Sequence, residues 1–199
     1  LLTKFAHIRT NGIIAIDLQP EDKLIQVKKT TGNDHILLVS QKGKAIKFKE
    51  QDVRPMGRAT KGVKGIALKP KDKIVTMERF TADPAKPKDK RKKFFQEMLI
   101  VMSQGIGKRT PVDDFPLQKR AGVGVKAAKV NTKTGHIICA QLVNQNYQQV
   151  MLTSKKAQVI KLPLKNIKTL GRNTQGVILM RFAKKGDQVA AVTCLQKPE

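Results

Sequence analysis

The sequence contains no tryptophan, one tyrosine and seven phenylalanines among its 199 residues, so an apolar interior must be built from aliphatic side chains. Acidic residues are also scarce: 15 Asp and Glu stand against 40 Lys and Arg, a net charge of +25. That imbalance directs attention to polyanions, either nucleic acid or an acidic membrane surface. No apolar run approaches the ~20 residues that a membrane-spanning helix requires. No secretory signal opens the chain, and Leu1 in place of an initiator Met points to a fragment. No amphipathic helical pattern or lipidation motif supports binding to an acidic membrane. Cysteine is limited to Cys139 and Cys194, both in apolar strand-like runs. They read as buried free thiols of a reducing, cytoplasmic compartment rather than as a disulfide framework.

What the chain does have is a repeated glycine-rich box. Gly57-Arg58-Ala59-Thr60-Lys61-Gly62-Val63-Lys64 returns as Gly171-Arg172-Asn173-Thr174-Gln175-Gly176-Val177-Ile178. Looser copies are Lys119-Arg120-Ala121-Gly122-Val123-Gly124-Val125-Lys126 and Arg9-Thr10-Asn11-Gly12-Ile13-Ile14. The anchoring glycines, Gly12, Gly62, Gly124 and Gly176, are spaced by 50, 62 and 52 residues. A period near 50 marks a repeat protein.

Each repeat reads as about four strands. In the second, Ile36–Val39 leads through the hairpin turn Gln41-Lys42-Gly43 to the alternating strand Lys44–Lys49. Alternation places Ile46 and Phe48 inside and Lys47 and Lys49 outside. The box follows, then a Pro-Lys-Asp turn and the closing strand Ile74–Met77. The third repeat aligns at an offset of 62, with Met98–Met102 as its first strand, and the fourth at 114, with Lys161 outward between Ile160 and Leu162. In the partial first repeat, Ile13–Leu18 and Leu24–Val27 have the look of strands. The expected fold is all-β and propeller-like, a single domain with repeats over 1–30, 33–80, 97–143 and 147–196 and blade boundaries near 30, 95 and 147. Residues 81–93, almost without apolar content, interrupt the period and read as an exposed, mobile basic loop suited to phosphate contact or plain solvation.

No catalytic constellation emerges. Gly105-Ile106-Gly107-Lys108-Arg109-Thr110 fails the phosphate-loop pattern, because Met102 and Arg109 stand where Gly and Ser or Thr are needed. His7, His35 and His136 share no ligand spacing with each other or with the cysteines, so no metal site is expected. Tyr147 falls in an inter-repeat loop. The basic residues, by contrast, recur in every repeat. Equivalent positions fall on equivalent faces, so Arg9, Lys44, Lys47, Lys49, Arg58, Lys61, Lys64, Lys108, Arg109, Lys119, Arg120, Lys155, Lys156, Lys161 and Arg172 are expected to form a basic band around a rim. The glycines beside Arg would bring backbone N–H groups close to phosphate or simply make tight turns. Duplex DNA is the partner this pattern favours. A propeller-like protein-interaction module would explain the repeats but leave the charge without a purpose.

The boxes at Gly57–Val63 and Gly171–Leu179, with Gly105–Thr110, resemble the C-terminal domain of bacterial DNA gyrase A over nearly the whole chain. The resemblance implies a six-bladed β-pinwheel that wraps DNA and lets the parent topoisomerase introduce negative supercoils. It implies partners in the N-terminal part of gyrase A and in gyrase B, and it places the cleaving tyrosine, ATP and Mg outside this chain. From the repeating basic positions, the residues expected to contact DNA are Arg58, Lys61, Arg120 and Arg172, then Lys108 and Arg109, with Lys64, Lys119, Lys44, Lys47 and Lys161. The chain departs from the gyrase pattern in one respect. The seven-residue box Gln-Arg-Arg-Gly-Gly-Lys-Gly has only a degenerate echo at Gln118–Gly124, in a later repeat, which keeps the corresponding domain of topoisomerase IV as a rival.

Overall fold

The computed structural model describes residues 2–8, 10–81 and 96–196. The described residues form eleven strands and no α-helix, apart from short 3-10 turns such as Glu50–Asp52, Val112–Asp114 and Leu164–Asn166. The strands are β1 (Asp34–Ser40), β2 (Lys44–Lys49), β3 (Ile74–Thr81), β4 (Glu97–Met102), β5 (Ile106–Pro111), β6 (Val125–Lys126), β7 (Ile137–Val143), β8 (Tyr147–Ser154), β9 (Val159–Pro163), β10 (Val177–Ile178) and β11 (Val189–Gln196). They pair into three antiparallel sheets, ordered β3-β1-β2-β6, β7-β4-β5-β10 and β11-β8-β9. The all-β, blade-like architecture is the one expected.

The composition of a blade is less simple than one repeat per sheet. The outer strand of the first sheet, β6, comes from the box of the following repeat, pairing Lys44 with Lys126 and Ala45 with Val125. The second sheet likewise borrows β10 from the next box, pairing Ile106 with Ile178 and Gly107 with Val177. The third sheet has three strands. The hairpin residues record this crossing. A Cβ on Gly43 would lie 2.8 Å from Val130 Cγ2, and one on Gly105 would lie 2.3 Å from the Met180 carbonyl. At the equivalent corner of the third hairpin, which borrows no strand, Ala157 holds φ at 64°.

Sheets stack face to face, and the middle one is buried on both sides. Met98, Ile100 and Met102 of β4 pack toward the first sheet with Leu37, Val39, Ala45 and Phe80. The alternate residues Leu99 and Val101 pack toward the third with Val150, Leu152, Leu164 and Ile167. This is why the Met98–Met102 run is continuously apolar: side chains alternate across the strand, and neither face is wet. Ile36, Ile46 and Phe48 form a further cluster with Ile66.

The same stacking corrects the expected position of Lys47. Ile46 and Phe48 are buried and Lys49 is exposed as anticipated, but Lys47 is buried too. Its face of β2 meets the second sheet instead of water. Its Nζ donates to the Val112 carbonyl at 3.2 Å and stands 5.7 Å from the centre of the Phe80 ring. Lys161, at the equivalent place in β9, is exposed, with Ile160 and Leu162 packing against the core.

The partial first repeat departs from expectation. Ile13–Leu18 and Leu24–Val27 form no strand. They form no ladder: Asp17 N donates to the Thr60 carbonyl at 3.2 Å, and β3 meets the second run through a side chain, Met77 N donating to Gln26 Oε1 at 2.8 Å, which occupies the N–H that a strand pairing would use. Residues 82–95, which include most of the interrupting basic loop, lie outside the described residues, as does Arg9.

Candidate nucleic-acid interface

The boxes sit side by side along one edge, linked through their backbones. Ala121 N donates to the Gly65 carbonyl at 2.6 Å and Ala67 N to the Gly122 carbonyl at 2.8 Å, joining the second box to the third. Lys129, just past the third box, donates its N–H to the Thr174 carbonyl of the fourth at 3.1 Å. The anchoring glycines explain the tightness of the fit. Gly124 and Gly176 have φ of 70° and 96°, and a Cβ on them would come within 2.3 Å of the Ala45 carbonyl and 2.5 Å of the Gly107 carbonyl. Their close approach is therefore to the neighbouring sheet, the turn-making role of the two considered for them.

The box arginines repeat one arrangement. Arg120 donates from Nη1 to the Lys64 carbonyl at 2.9 Å and from Nε to the Asp52 carbonyl at 2.9 Å. Arg172 donates from Nη1 to the Lys126 carbonyl at 3.1 Å. Lys64 and Lys126 are equivalent positions of successive repeats, so each guanidinium ties its own box to the one before. Both arginines are half-buried and keep part of the head toward solvent, whereas Arg58, Lys61, Lys64 and Lys119 are exposed. Lys44, half-buried, lies directly across from the exposed Lys126 in the β2–β6 pair. Lys126 belongs to the third box, but the sequence alone does not single it out; its position opposite Lys44 depends on strand exchange between repeats, which a linear reading does not reveal.

Lys108 and Arg109 do not stand on this edge as free cations. Lys108 is fully buried, and its Nζ donates to the Gly171 and Arg172 carbonyls at 2.8 Å each, with the Thr174 carbonyl at 3.1 Å and Thr174 Oγ1 at 3.2 Å. Burial, and after it the charge of Arg172, pull its pKa down to about 8, against the opposing pull of Asp114. A signal for this is present in the sequence: at the offsets of 62 and 52 that relate the repeats, Lys108 occupies the place of the inward-facing Ile46 and Ile160. Arg109 is half-buried, paired with Glu97 Oε2 at 2.6 Å and bonded from Nε to the Ile167 carbonyl at 2.8 Å. Burial likewise lowers the pKa of Lys47, partly offset by Asp113. These three cations bond across successive repeats and are not free on the edge.

Cys139 and Cys194 are free thiols, pushed by burial up to about 12 and about 11. Among the described residues no cluster of His, Cys, Asp or Glu could hold a metal ion, and no helix is long and apolar enough to cross a membrane.

The family model for the DNA gyrase C-terminal domain, beta-propeller, matches residues 2–31, 34–81, 96–144 and 148–196. The chain belongs to the DNA gyrase C-terminal domain family. It is 38% identical over 191 residues to DNA gyrase A of Haloquadratum walsbyi, covering 96% of this chain and 21% of that protein. It is 39% identical over 190 residues to the DNA gyrase A of Buchnera aphidicola, covering 95% and 21%. The gyrase-family domain thus spans about a fifth of those relatives. A solved DNA gyrase A C-terminal domain shares its fold with a TM-score of 0.73 at 24% identity, covering 92% of this chain and 58% of that one. The C-terminal domain of DNA topoisomerase IV does so at 0.83 and 22%, covering 98% and 57%.

Proposed function

We propose that this domain binds duplex DNA without reading sequence and bends it along the edge formed by the boxes. In that role it is the non-catalytic accessory module with which a gyrase-type topoisomerase introduces negative supercoils. The observation that carries the reading is the set Arg58, Lys61, Lys64, Lys119 and Lys126, exposed on boxes held side by side. Lys44 facing Lys126 supports it, because like charges directly opposite in a sheet repel and a phosphate between them turns that repulsion into attraction. The proposed partners in the parent enzyme are the N-terminal part of gyrase A and gyrase B. ATP and Mg are assigned to those parts, and the setting is cytoplasmic.

Duplex DNA carries about one charge per 1.7 Å, and each phosphate neutralised by Lys or Arg releases condensed counterions. An edge of five exposed cations should therefore lower the logarithm of affinity with the logarithm of salt at a slope of about −4.5, from about −0.9 per contact. Binding to duplexes of unrelated sequence, measured by anisotropy at several salt concentrations, tests this. Equal affinity across sequences with a steep salt slope is expected; preference for one sequence, or a slope near zero, would overturn it. The likeness to the topoisomerase IV domain favours a second reading in which DNA is bound for substrate selection with little wrapping. Bending of bound duplex separates the two.

A further inference from the structure

Lys108 is a charged residue in the position where the other two hairpins carry isoleucine. Beneath the box loop of the following repeat, its ammonium meets three carbonyls and a hydroxyl, all from the four residues Gly171–Thr174. The loop folds to present them: Thr174 Oγ1 also donates to the Gly171 carbonyl at 2.8 Å. The other pairing in the chain differs at both partners. Ile46 lies under the box Lys119–Gly122, where Gly122 replaces Thr174, and a Cβ placed on Gly122 would sit 3.6 Å from Ile46 Cδ1. Lysine accompanies the oxygen-rich loop and isoleucine the plain one. The second box, Gly57–Thr60, makes the same turn as the fourth, with Thr60 Oγ1 donating to the Gly57 carbonyl at 3.1 Å.

We propose that Lys108 is a positioning residue for DNA contact: its buried ammonium clamps the Gly171–Thr174 loop to the second sheet and thereby fixes where Arg172 and the fourth box meet phosphate. The inference rests on the DNA-binding reading above. Three N–H donors shared among four oxygens define the loop in three dimensions, which one isoleucine methyl cannot do. The charge balance suits a clamp that is held but not locked. Arg172, on the loop itself, repels the ammonium, and Asp114, on the 3-10 turn after β5, attracts it. Loss of one proton removes one donor and leaves a lone pair facing carbonyl oxygens.

The test uses Lys108→Ile, which borrows the residue of the equivalent positions and so keeps the fold, and the double variant Lys108→Ile with Thr174→Gly, which recreates the Ile46–Gly122 pairing. Hydrogen exchange over residues 171–180, at neutral pH, should speed up by about tenfold or more in the single variant, the scale of losing hydrogen bonds to a charged group. The double variant should regain protection. Affinity for duplex DNA should fall severalfold in the single variant while the thermal midpoint of the sheets hardly moves. In the unmodified protein, protection of this loop, corrected for base-catalysed intrinsic exchange, should decline from pH 7 to pH 10, and in Lys108→Ile it should stay flat. Equal exchange in the single variant and the unmodified protein, no recovery in the double variant, or a pH-independent loop would overturn the clamp. If the unmodified protein fails to bind duplex DNA at all, the functional reading falls. If it binds and Lys108→Ile binds equally well, only the positioning role falls.

Discussion

Arg172 donates from Nη1 to the main-chain oxygen of Lys126, 3.1 Å away, and Arg120 makes the same bond to Lys64 one repeat earlier, at 2.9 Å. Arginines that a sequence reading assigns wholly to phosphate thus have a second task, setting the spacing between boxes. A guanidinium suits both, since its five N–H groups outnumber the carbonyls it meets here. Truncating Arg120 or Arg172 therefore removes structure as well as charge.

Arg58, exposed and without a carbonyl bond of the kind Arg120 and Arg172 make among the described residues, separates the two tasks. Arg58→Ala should weaken binding to all duplexes alike and flatten the salt slope by about one contact, leaving stability within about 0.5 kcal/mol. Arg120→Ala should flatten the slope by less and destabilise the domain by about 1 kcal/mol, the usual scale of exposed bonds from a charged donor. Urea unfolding beside anisotropy titrations distinguishes them; equal effects on both readouts would contradict the division.

At the Lys44–Lys126 pair, stability and binding should move in opposite directions. Removing one charge with Lys126→Gln relieves cross-strand repulsion, worth about 0.2–1 kcal/mol, and deletes a phosphate contact. The thermal midpoint should rise slightly at low salt while DNA affinity falls. A variant both less stable and unaltered in affinity would remove this pair from the interface.

The anchoring glycines give a purely structural prediction. Gly176→Ala must force a Cβ against the Gly107 carbonyl, 2.5 Å away, at a φ of 96°. The combined strain and clash should cost about 1–3 kcal/mol or more and detach β10 from β5. Gly62, with φ of 75° and nothing within 4 Å of the added Cβ, incurs the backbone strain alone. The ordering Gly176→Ala below Gly62→Ala in denaturant midpoint is the check, and the reverse order would refute the strand-exchange geometry.

The period, the strand alternation and the inward Ile46, Phe48 and Met98–Met102 are legible because they follow from one-dimensional patterns. Lys47 defeats such a pattern because alternation assigns a face without saying whether that face is wet, and here a second sheet covers it. Lys108 defeats a reading that weighs charge over position, although its alignment with Ile46 and Ile160 points inward. The partnership of Lys126 with Lys44 depends on a strand crossing between sheets, a non-local pairing with no local signature. The same holds for the Ser–Asp latch under each of two hairpins. Asp72 accepts from Ser40 Oγ at 2.8 Å, and Asp187 from Ser154 Oγ at 2.6 Å.

That latch sets a pH dependence. Burial raises the pKa of Asp187, but hydrogen bonds from Ser154 Oγ, Gln188 N and Lys156 N, together with the Lys156 charge, hold it below the ordinary carboxylate value. A depressed folded-state pKa contributes stability that is fully present above the unfolded value of about 3.9 and is lost as pH falls through the folded one. Asp187→Asn should flatten the acid limb of the stability profile below about pH 4 relative to the unmodified protein. An unchanged acid limb would assign the carboxylate no such role.

Bending is the central claim, because a straight basic edge would bind DNA as well. Bending 20–30 base pairs by 40–90° costs on the order of 1–6 kcal/mol, and counterion release along the edge offsets it only while salt is low. The direct measurement is fluorescence transfer between dyes on the two ends of a duplex tens of base pairs long, titrated with protein at several salt concentrations. Approach of the ends at low salt, lost on adding salt before binding itself is lost, is the predicted result; saturated binding with the ends still far apart would contradict it.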